Sequence, residues 1–453
     1  MKIVIIGAGS VAFTPAILSG FSTDRRYADA TIGLVDVNEE ALDLISWFAS
    51  RVSKEFNLNW KIQASTRRRE VLSGADAVTT SVGVGGLAAW QQDLDIPFKY
   101  GIIQPVGDTS GPGGLARALR HIPVHVEIAK DMEELCPSAT LFNFTNPLTV
   151  NTQAINRLSK IRCIGLCIGP DLTWDYLCAV CGVEKKHTTA VIGGINRCHW
   201  IVDFRICGRD AFRLLLAVLD EMEGRSSGAE ILRSKFGGLV KRPQKPPEFE
   251  PLSAQLFRRL GAYPGPFDAH VAEFFPQLMR PLIGKVEEFQ GLAIRHVNET
   301  YPALWKKMQE IGKQGAPIDA EAFAKDLAWE HTQFLDIMVS QQDNLGQVFY
   351  VNLPNRGYIH NLPGGMVVEV PATVDAAGLH PFALGDLPDS ITPVMAHKLA
   401  SLDLIIEAAM EGSRHKAVQA FLNDPHCTDM DAGCRLVNEL IDSQLQYLPR
   451  FQS

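Results

Sequence analysis

The sequence predicts an α/β fold: a Rossmann-type, doubly wound parallel sheet followed by an α+β region. Three observations predict it. The chain opens on a short apolar, β-branched run, Lys2 to Ile6, that ends in Gly7-Ala-Gly9-Ser-Val-Ala12. Apolar runs then alternate with helical patterns to about residue 170, as βαβ units do. Beyond residue 187 that alternation gives way to longer strands and helices. The expected division is 1–187 for a dinucleotide-binding domain and 188–453 for a catalytic, substrate-binding and oligomerisation domain.

Lys2 to Ile6 reads as a strand buried on both faces. The G-x-G-x-x-A turn after it is a dinucleotide fingerprint. Its first glycine permits the tight turn, and its second lets the backbone approach a pyrophosphate. The small third residue lets the next helix pack on the strand. That helix presents free N–H groups and a partial positive charge to phosphates. Gly7, Gly9, Ser10 and Val11 are therefore the expected cofactor contacts. A second strand, Ala30 to Val35, ends in Asp36. A carboxylate there accepts hydrogen bonds from ribose hydroxyls and favours NAD over NADP. Residues 41–56 read as an amphipathic helix and 75–82 as a third strand. Val82 and Gly83 open a Gly-rich loop at its carboxyl end, where a doubly wound sheet places its ligand. A fourth strand from Leu141 carries Asn143 into Thr145-Asn146-Pro147, with Asn143 and Asn146 also expected at the cofactor, and Cys163 to Cys167 is a fifth. Farther on, 188–201 and 202–206 read as strands, 211–222 as a helix and 236–266 as a surface loop or lid. A helix capped by Asp319 is expected over 319–340. Strands at 346–351 and 366–370 and amphipathic helix over 392–422 complete the pattern.

The 453 residues carry a net charge of −8 and no basic stripe, which argues against nucleic acid as a main partner. No apolar run reaches the roughly 18 residues of a membrane span. The first residues form a strand and not a basic leader, so a cytoplasmic location is expected. Nine scattered cysteines fit a reducing compartment.

Three further stretches are too polar and Gly-rich for mere connection. One is Asp93 to Gly101, running into Asp108-Thr-Ser-Gly-Pro-Gly-Gly114. The others are Gly165-Leu-Cys-Ile-Gly169 and Gly194-Ile-Asn-Arg-Cys-His-Trp200. Together with Asn143–Pro147 and the fingerprint, they resemble glycoside hydrolase family 4, the NAD-dependent glycosidases. The resemblance covers nearly the whole chain. It implies a hydrolysis outside the two-carboxylate rule. NAD takes hydride from C3 of the sugar, and the ketone acidifies the C2 proton. A base removes that proton, the C1–oxygen bond breaks by elimination, water adds and the hydride returns. The resemblance also implies a homodimer or homotetramer.

In that family a divalent metal, usually manganese, often stabilises the enolate. Its ligands are the cysteine of G-L-C and the histidine of G-I-N-H. Here Cys167 is present, but Arg197 stands at the histidine position. A guanidinium cannot coordinate a cation and repels one. Two readings follow. In the favoured one no metal binds, and Arg197 supplies positive charge beside the C2–C3 oxygens. In the other, His199, on the same strand face, binds manganese with Cys167. The family's C2 base is commonly a tyrosine, and Tyr263 matches its region. It needs a pKa lowered by nearby positive charge, which Arg197 supplies if the two are close. Asp268, His270 or a water would protonate the leaving group, because Ile168 stands where phospho-sugar members carry an acid.

The expected substrate is an anionic glycoside. Phospho-sugar members carry an arginine just before the D-x-x-I-P turn, where this chain has Trp90-Gln91-Gln92. That argues against a phosphorylated sugar. Loss of the histidine is similar to the related NAD-dependent sulfoquinovosidases, whose 6-sulfonate suits the N–H donors of Trp90 and Gln91 with one arginine. A manganese-dependent α-galacturonidase or α-glucosidase is the alternative. Asp108, Asn146, Cys167, Arg197 and His199 complete the expected substrate-binding set. Two further classes remain. One is a net dehydrogenase, since Asn143–Pro147 is similar to the S-N-P turn of lactate and malate dehydrogenases, whose overall fold this chain is also expected to share. The other is a non-catalytic NAD sensor.

Overall fold

The computed structural model describes residues 1–226, 228–283, 286–318 and 333–452. Among them, 13 strands form one sheet. Six come from the first part of the chain: β1 (Lys2–Ile6), β2 (Thr31–Val35), β3 (Lys61–Ser65), β4 (Ala77–Thr80), β5 (Thr140–Asn143) and β6 (Cys163–Gly165). They lie in the order β6-β5-β4-β1-β2-β3, and every neighbouring pair is parallel. This is the doubly wound order. The chain reverses its direction of travel between β1 and β4, the switch point at which such sheets hold ligands. Ile3 and Ile5 pack into one core with Phe21 and Phe48. Val4 and Ile6 pack into another with Ile128 and Met132. Burial on both faces is why β1 reads as an unbroken apolar run. β3 escapes a search for such runs because it is an edge strand with a mostly exposed Lys-Ile-Gln-Ala-Ser sequence.

The rest of the chain extends the β6 edge with β7 (Thr188–Ile195), β8 (Cys198–Ile206), β9 (Arg209–Asp210), β10 (Tyr263–Gly265), β11 (Gln347–Pro354), β12 (Val367–Asp375) and β13 (Gly378–Pro381). β11 meets β6 through Asn352 and Gly165, antiparallel. The α+β region therefore continues the Rossmann sheet, in the fold class expected.

The sequence pattern does not reveal two helices, Gly86–Lys99 and Gly111–Leu135, which hold Pro97 and Pro123. Proline and glycine weaken the local helical signal. Gly111-Pro112 sits in the first turn, where proline's missing N–H is harmless. The stretch 236–266, expected as a loop, contains the helix Pro251–Leu260, which buries Leu252, Leu256 and Phe257, and strand β10. The helix expected over 392–422 is three helices, Thr392–Ala400, Leu402–Glu411 and Arg414–Leu422. Of the helix expected over 319–340, Gln333–Gln342 is observed, and its start at Asp319 lies outside the described residues. No helix among the described residues is long and apolar enough to cross a membrane.

Candidate active site

A cleft of about 960 Å³ opens along the carboxyl ends of the parallel strands, lined by Gly7, Asp36, Ser81, Asn146 and Cys167 among others. Its size suits a cofactor and a small substrate together.

The end nearest β1 and β2 fits a dinucleotide. Gly7 has φ +83°, and a Cβ on it would lie 2.4 Å from the Ser81 carbonyl oxygen. A Cβ on Gly9 would crowd Ala41 and the Asp36 carboxylate. Asp36 clamps the turn: Oδ2 accepts from Gly9 N (2.8 Å) and Oδ1 from Asn38 N (2.9 Å). Ser10, Val82 and Gly83 line the same space. Val11 does not, for its side chain packs into the core beneath the turn. Asn143 is fully buried and acts from below, accepting from Thr145 N (2.9 Å) and donating to Thr152 Oγ1 (3.2 Å). It shapes the turn that presents Asn146.

At the other end three turns converge. Asn146 Nδ2 donates to Asp108 Oδ2 (2.9 Å), and Thr109 Oγ1 donates to Asp108 Oδ1 (2.7 Å). Arg197, with φ +61°, occupies the tight turn between β7 and β8. Its Nη2 lies 3.5 Å from Asp108 Oδ2, and its Nη1 lies 2.6 and 2.7 Å from the ring nitrogens of His270. A guanidinium only donates, so His270 accepts and is neutral. Burial first, and then the Arg197 charge, hold its pKa well below the usual histidine value. Burial alone would raise the Asp108 pKa, but Arg197 and Arg117 together bring it below the ordinary carboxylate range. Cys167 borders the same space, and burial pushes its thiol up despite Arg197.

Several residues escaped sequence reasoning. Arg117 donates from Nε to the Asn146 carbonyl (3.3 Å). His121 accepts from Val84 N at Nε2 (3.1 Å), so its Nδ1–H donates to that same carbonyl (2.9 Å). His121 thereby ties the Gly-rich loop to the Asn146 turn. Glu273 Oε1 accepts from Val106 N (2.9 Å) and Gly107 N (2.6 Å), which fixes the loop ahead of Asp108. Recognising 111–135 as a helix would have placed Arg117 and His121 on one face, four residues apart.

Besides Val11 and Asn143, four expected residues lie elsewhere. Tyr263 is 2% exposed, stacked on Tyr176 with centroids 6.0 Å apart. Burial pushes its pKa well above the usual tyrosine value, and its charged neighbours are the acids Asp268 and Glu250. It does not line the cleft. Asp268 caps the helix Pro251–Leu260, accepting from Leu252 N and Ser253 N, both at 2.7 Å, and does not line the cleft. His199 is fully buried. Its Nε2 bonds Thr173 Oγ1 (2.9 Å), and its Nδ1 lies 3.0 Å from Glu369 Oε2. Nε2 is thus engaged, whereas Nδ1 makes no hydrogen bond. The expectation that it shares a strand face with Arg197 fails because Arg197 sits in the turn. Gln91 is exposed and donates to Asp95 (2.8 Å). Trp90 does line the cleft, but its indole N–H donates to the Val106 carbonyl (2.8 Å), and the Arg117 guanidinium lies over its ring at 5.1 Å. Neither residue offers the free donor expected for a sulfonate.

Manganese does not fit the residues present. Among the described residues, no three His, Cys, Asp or Glu side chains converge to hold a metal. Near Cys167 stands the charge of Arg197, at the position where the resemblance puts a histidine ligand, and His199 Nε2 is bonded to Thr173.

The fold and this cleft define a Rossmann-type α/β enzyme with a cationic substrate end. Comparison with known proteins names its family. The model for family 4 glycosyl hydrolases matches residues 2–182, and the model for that family's C-terminal domain matches residues 192–427. The chain belongs to family 4 of the glycosyl hydrolases. Its relatives include an α-galactosidase of Rhizobium meliloti, 27% identical over 99% of this chain and 89% of that protein. An α-galacturonidase of Bacillus subtilis is 28% identical over 98% of both chains. In fold it matches a 6-phospho-α-glucosidase from gut microorganisms, solved with NAD and glucose-6-phosphate. The TM-score is 0.81, at 22% identity, over all of both chains.

Proposed function

We propose that the protein is an NAD-dependent glycosidase that cleaves an α-glycoside whose sugar carries an anionic group. The observation behind the anionic sugar is the charge of the substrate end. The guanidinium groups of Arg117 and Arg197 face the cleft beside the Asp108 carboxylate. A sugar carboxylate or sulfonate is drawn to this positive charge, and Arg117 presents the planar donors such a group accepts. The α-galacturonidase relative makes a hexuronide the preferred substrate. A 6-sulfonated glucoside shares the charge. Arg197 in place of a metal ligand favours it, and the engaged N–H groups of Trp90 and Gln91 count against it.

When bound, NAD supplies a reversible hydride acceptor for a sugar carbon. Gly7, Gly9 and the Asp36 clamp would hold the dinucleotide. Asn146 and Asp108 bind and orient sugar hydroxyls. Arg197 stabilises negative charge that develops on the sugar's C2–C3 oxygens. A sugar oxygen that takes over the guanidinium also frees a ring nitrogen of His270. That nitrogen then accepts the C2 proton. Asp108 is the poorer base, since both of its oxygens already accept hydrogen bonds.

The test is turnover on 4-nitrophenyl α-galacturonide, α-sulfoquinovoside, α-galactoside and α-6-phosphoglucoside, in D2O with NAD. Cleavage of a carboxylated or sulfonated sugar is expected, with deuterium entering C2 and no lasting NADH. Preference for the neutral galactoside would defeat the charge argument. Turnover after removal of all dinucleotide would defeat the mechanism.

A further inference from the structure

Phe267 has φ +56°, in the left-handed region that a bulky side chain adopts only under constraint. The residue is 37% exposed and lines the cleft. Glycine would relieve the backbone, and burial would satisfy the ring. Neither is used here. Strain of this kind persists where surrounding structure over-determines it, and it gathers at ligand clamps. The constraint is visible behind the ring. Asp268 N, next in the chain, donates to Glu250 Oε2 (2.6 Å), while the Asp268 carboxylate is tied to the helix Pro251–Leu260. The ring also meets Tyr176 edge-on, with centroids 6.4 Å apart at 89°. Phe267 is thus held from the rear and open toward the cleft.

Ile168, Leu172 and Pro266 line the same cleft. A Cβ on Gly169 would lie 3.3 Å from Pro266 Cγ, so the segments around 168 and 266 touch. None of these four side chains offers a hydrogen-bonding atom. Sugar hydroxyls must therefore turn to Asp108, Asn146 and Arg197, and an anionic group to Arg117. His270, one turn along from Phe267, marks the junction between the polar and apolar walls. We propose that Phe267, with Ile168, Leu172 and Pro266, forms an aglycone subsite for glycosides whose leaving group is aromatic. The Phe267 ring is the platform on which it stacks. The inference rests on the glycosidase reading above and adds to it the class of leaving group.

The test uses the NAD-loaded enzyme, with Phe267→Ala and Phe267→Gly beside wild type. Phenyl and methyl glycosides of the same sugar are compared, together with the Kd for NAD and the melting temperature. In both variants KM for the phenyl glycoside rises about tenfold, the loss of one aromatic contact. KM for the methyl glycoside and the Kd for NAD stay unchanged. The glycine variant melts no lower than wild type, because glycine is at ease at that φ, and this separates the effect from misfolding. Equal changes on the two glycosides would overturn the subsite and leave the glycosidase standing. Weakened NAD binding would overturn it too, since the ring would then lie against the cofactor. A wild-type enzyme that cleaves neither glycoside would defeat the glycosidase reading, and the subsite with it.

Discussion

Replacing Arg197 by methionine removes the charge and keeps most of the stem. The guanidinium stands 3.5 Å from Asp108 Oδ2, with the two side chains 17% and 8% exposed. At an effective dielectric near 20, unit charges at that separation attract by about 5 kcal/mol. Breaking a buried pair by removing one partner costs about 3–5 kcal/mol. Arg117 remains near Asp108 and puts the loss at the low end, about 3 kcal/mol. Felt in full by the transition state, that is about 150-fold in kcat/KM.

The same substitution moves a titration. In wild type the folded Asp108 pKa lies below its unfolded value. Its contribution to stability is present above the unfolded pKa and is lost as pH falls through the folded one. Without Arg197, burial, already the largest influence on this group, lifts the folded pKa. The acid limb of kcat/KM then moves to higher pH, and the acid-side loss of stability shrinks. The assay is kcat/KM on the preferred glycoside from pH 3 to 9, with urea midpoints over the same range. A variant within about fivefold of wild type whose acid limb has not moved would refute the coupling of Arg197 to Asp108.

Dialysis against EDTA leaves turnover unchanged, and added manganese does not raise it. A loss that manganese restores would return Cys167 to the role of metal ligand. Asp36→Ala strips the acceptor from Gly9 N and Asn38 N, and calorimetry should show the Kd for NAD rising about tenfold or more. An unchanged Kd would mean that the turn stands without its clamp. Tyr263→Phe keeps kcat/KM within about twofold and leaves its pH profile in place, whereas collapse of activity would bring Tyr263 back as the base. Burial pushes Glu273 up to about 8, so the stability it contributes in acid is lost as pH rises from its ordinary value through that range. Glu273→Gln keeps an acceptor for Val106 N and Gly107 N and flattens the fall in urea midpoint. A slope identical to wild type would assign the titration to another group.

The cofactor end of the cleft is legible in sequence because its requirements are backbone requirements. Only glycine fits at Gly7, where a Cβ would strike the Ser81 carbonyl, and at Gly9, where it would strike Ala41. The letters therefore report the geometry directly. β3 and the helix Gly111–Leu135 are hidden for opposite reasons. The first is an edge strand and needs no apolar run. The second is so well buried that tertiary packing overrides the cost of its glycines and prolines.

The substrate end depends on where side chains point, and that is decided by turns whose shape the letters do not state. Only Cys198 separates Arg197 from His199. A strand would set them on one face, but the chain turns at Arg197, sending it to Asp108 and His270 while His199 goes inward to Thr173 and Glu369. Tyr263 sits opposite Ile201 in the β10–β8 pair, and both belong to the core beneath the helix Gly169–Cys181. The motif that brings Tyr263 near the site is thus the same motif whose pairing turns its ring away. His270, seven residues on, is carried back to the cleft by the short helix Phe267–Val271, entered through the strained Phe267. Because that entry sets which residues face the cleft, a change at Phe267 that relaxed the backbone without moving His270 would alter the choice of leaving group and spare the chemistry.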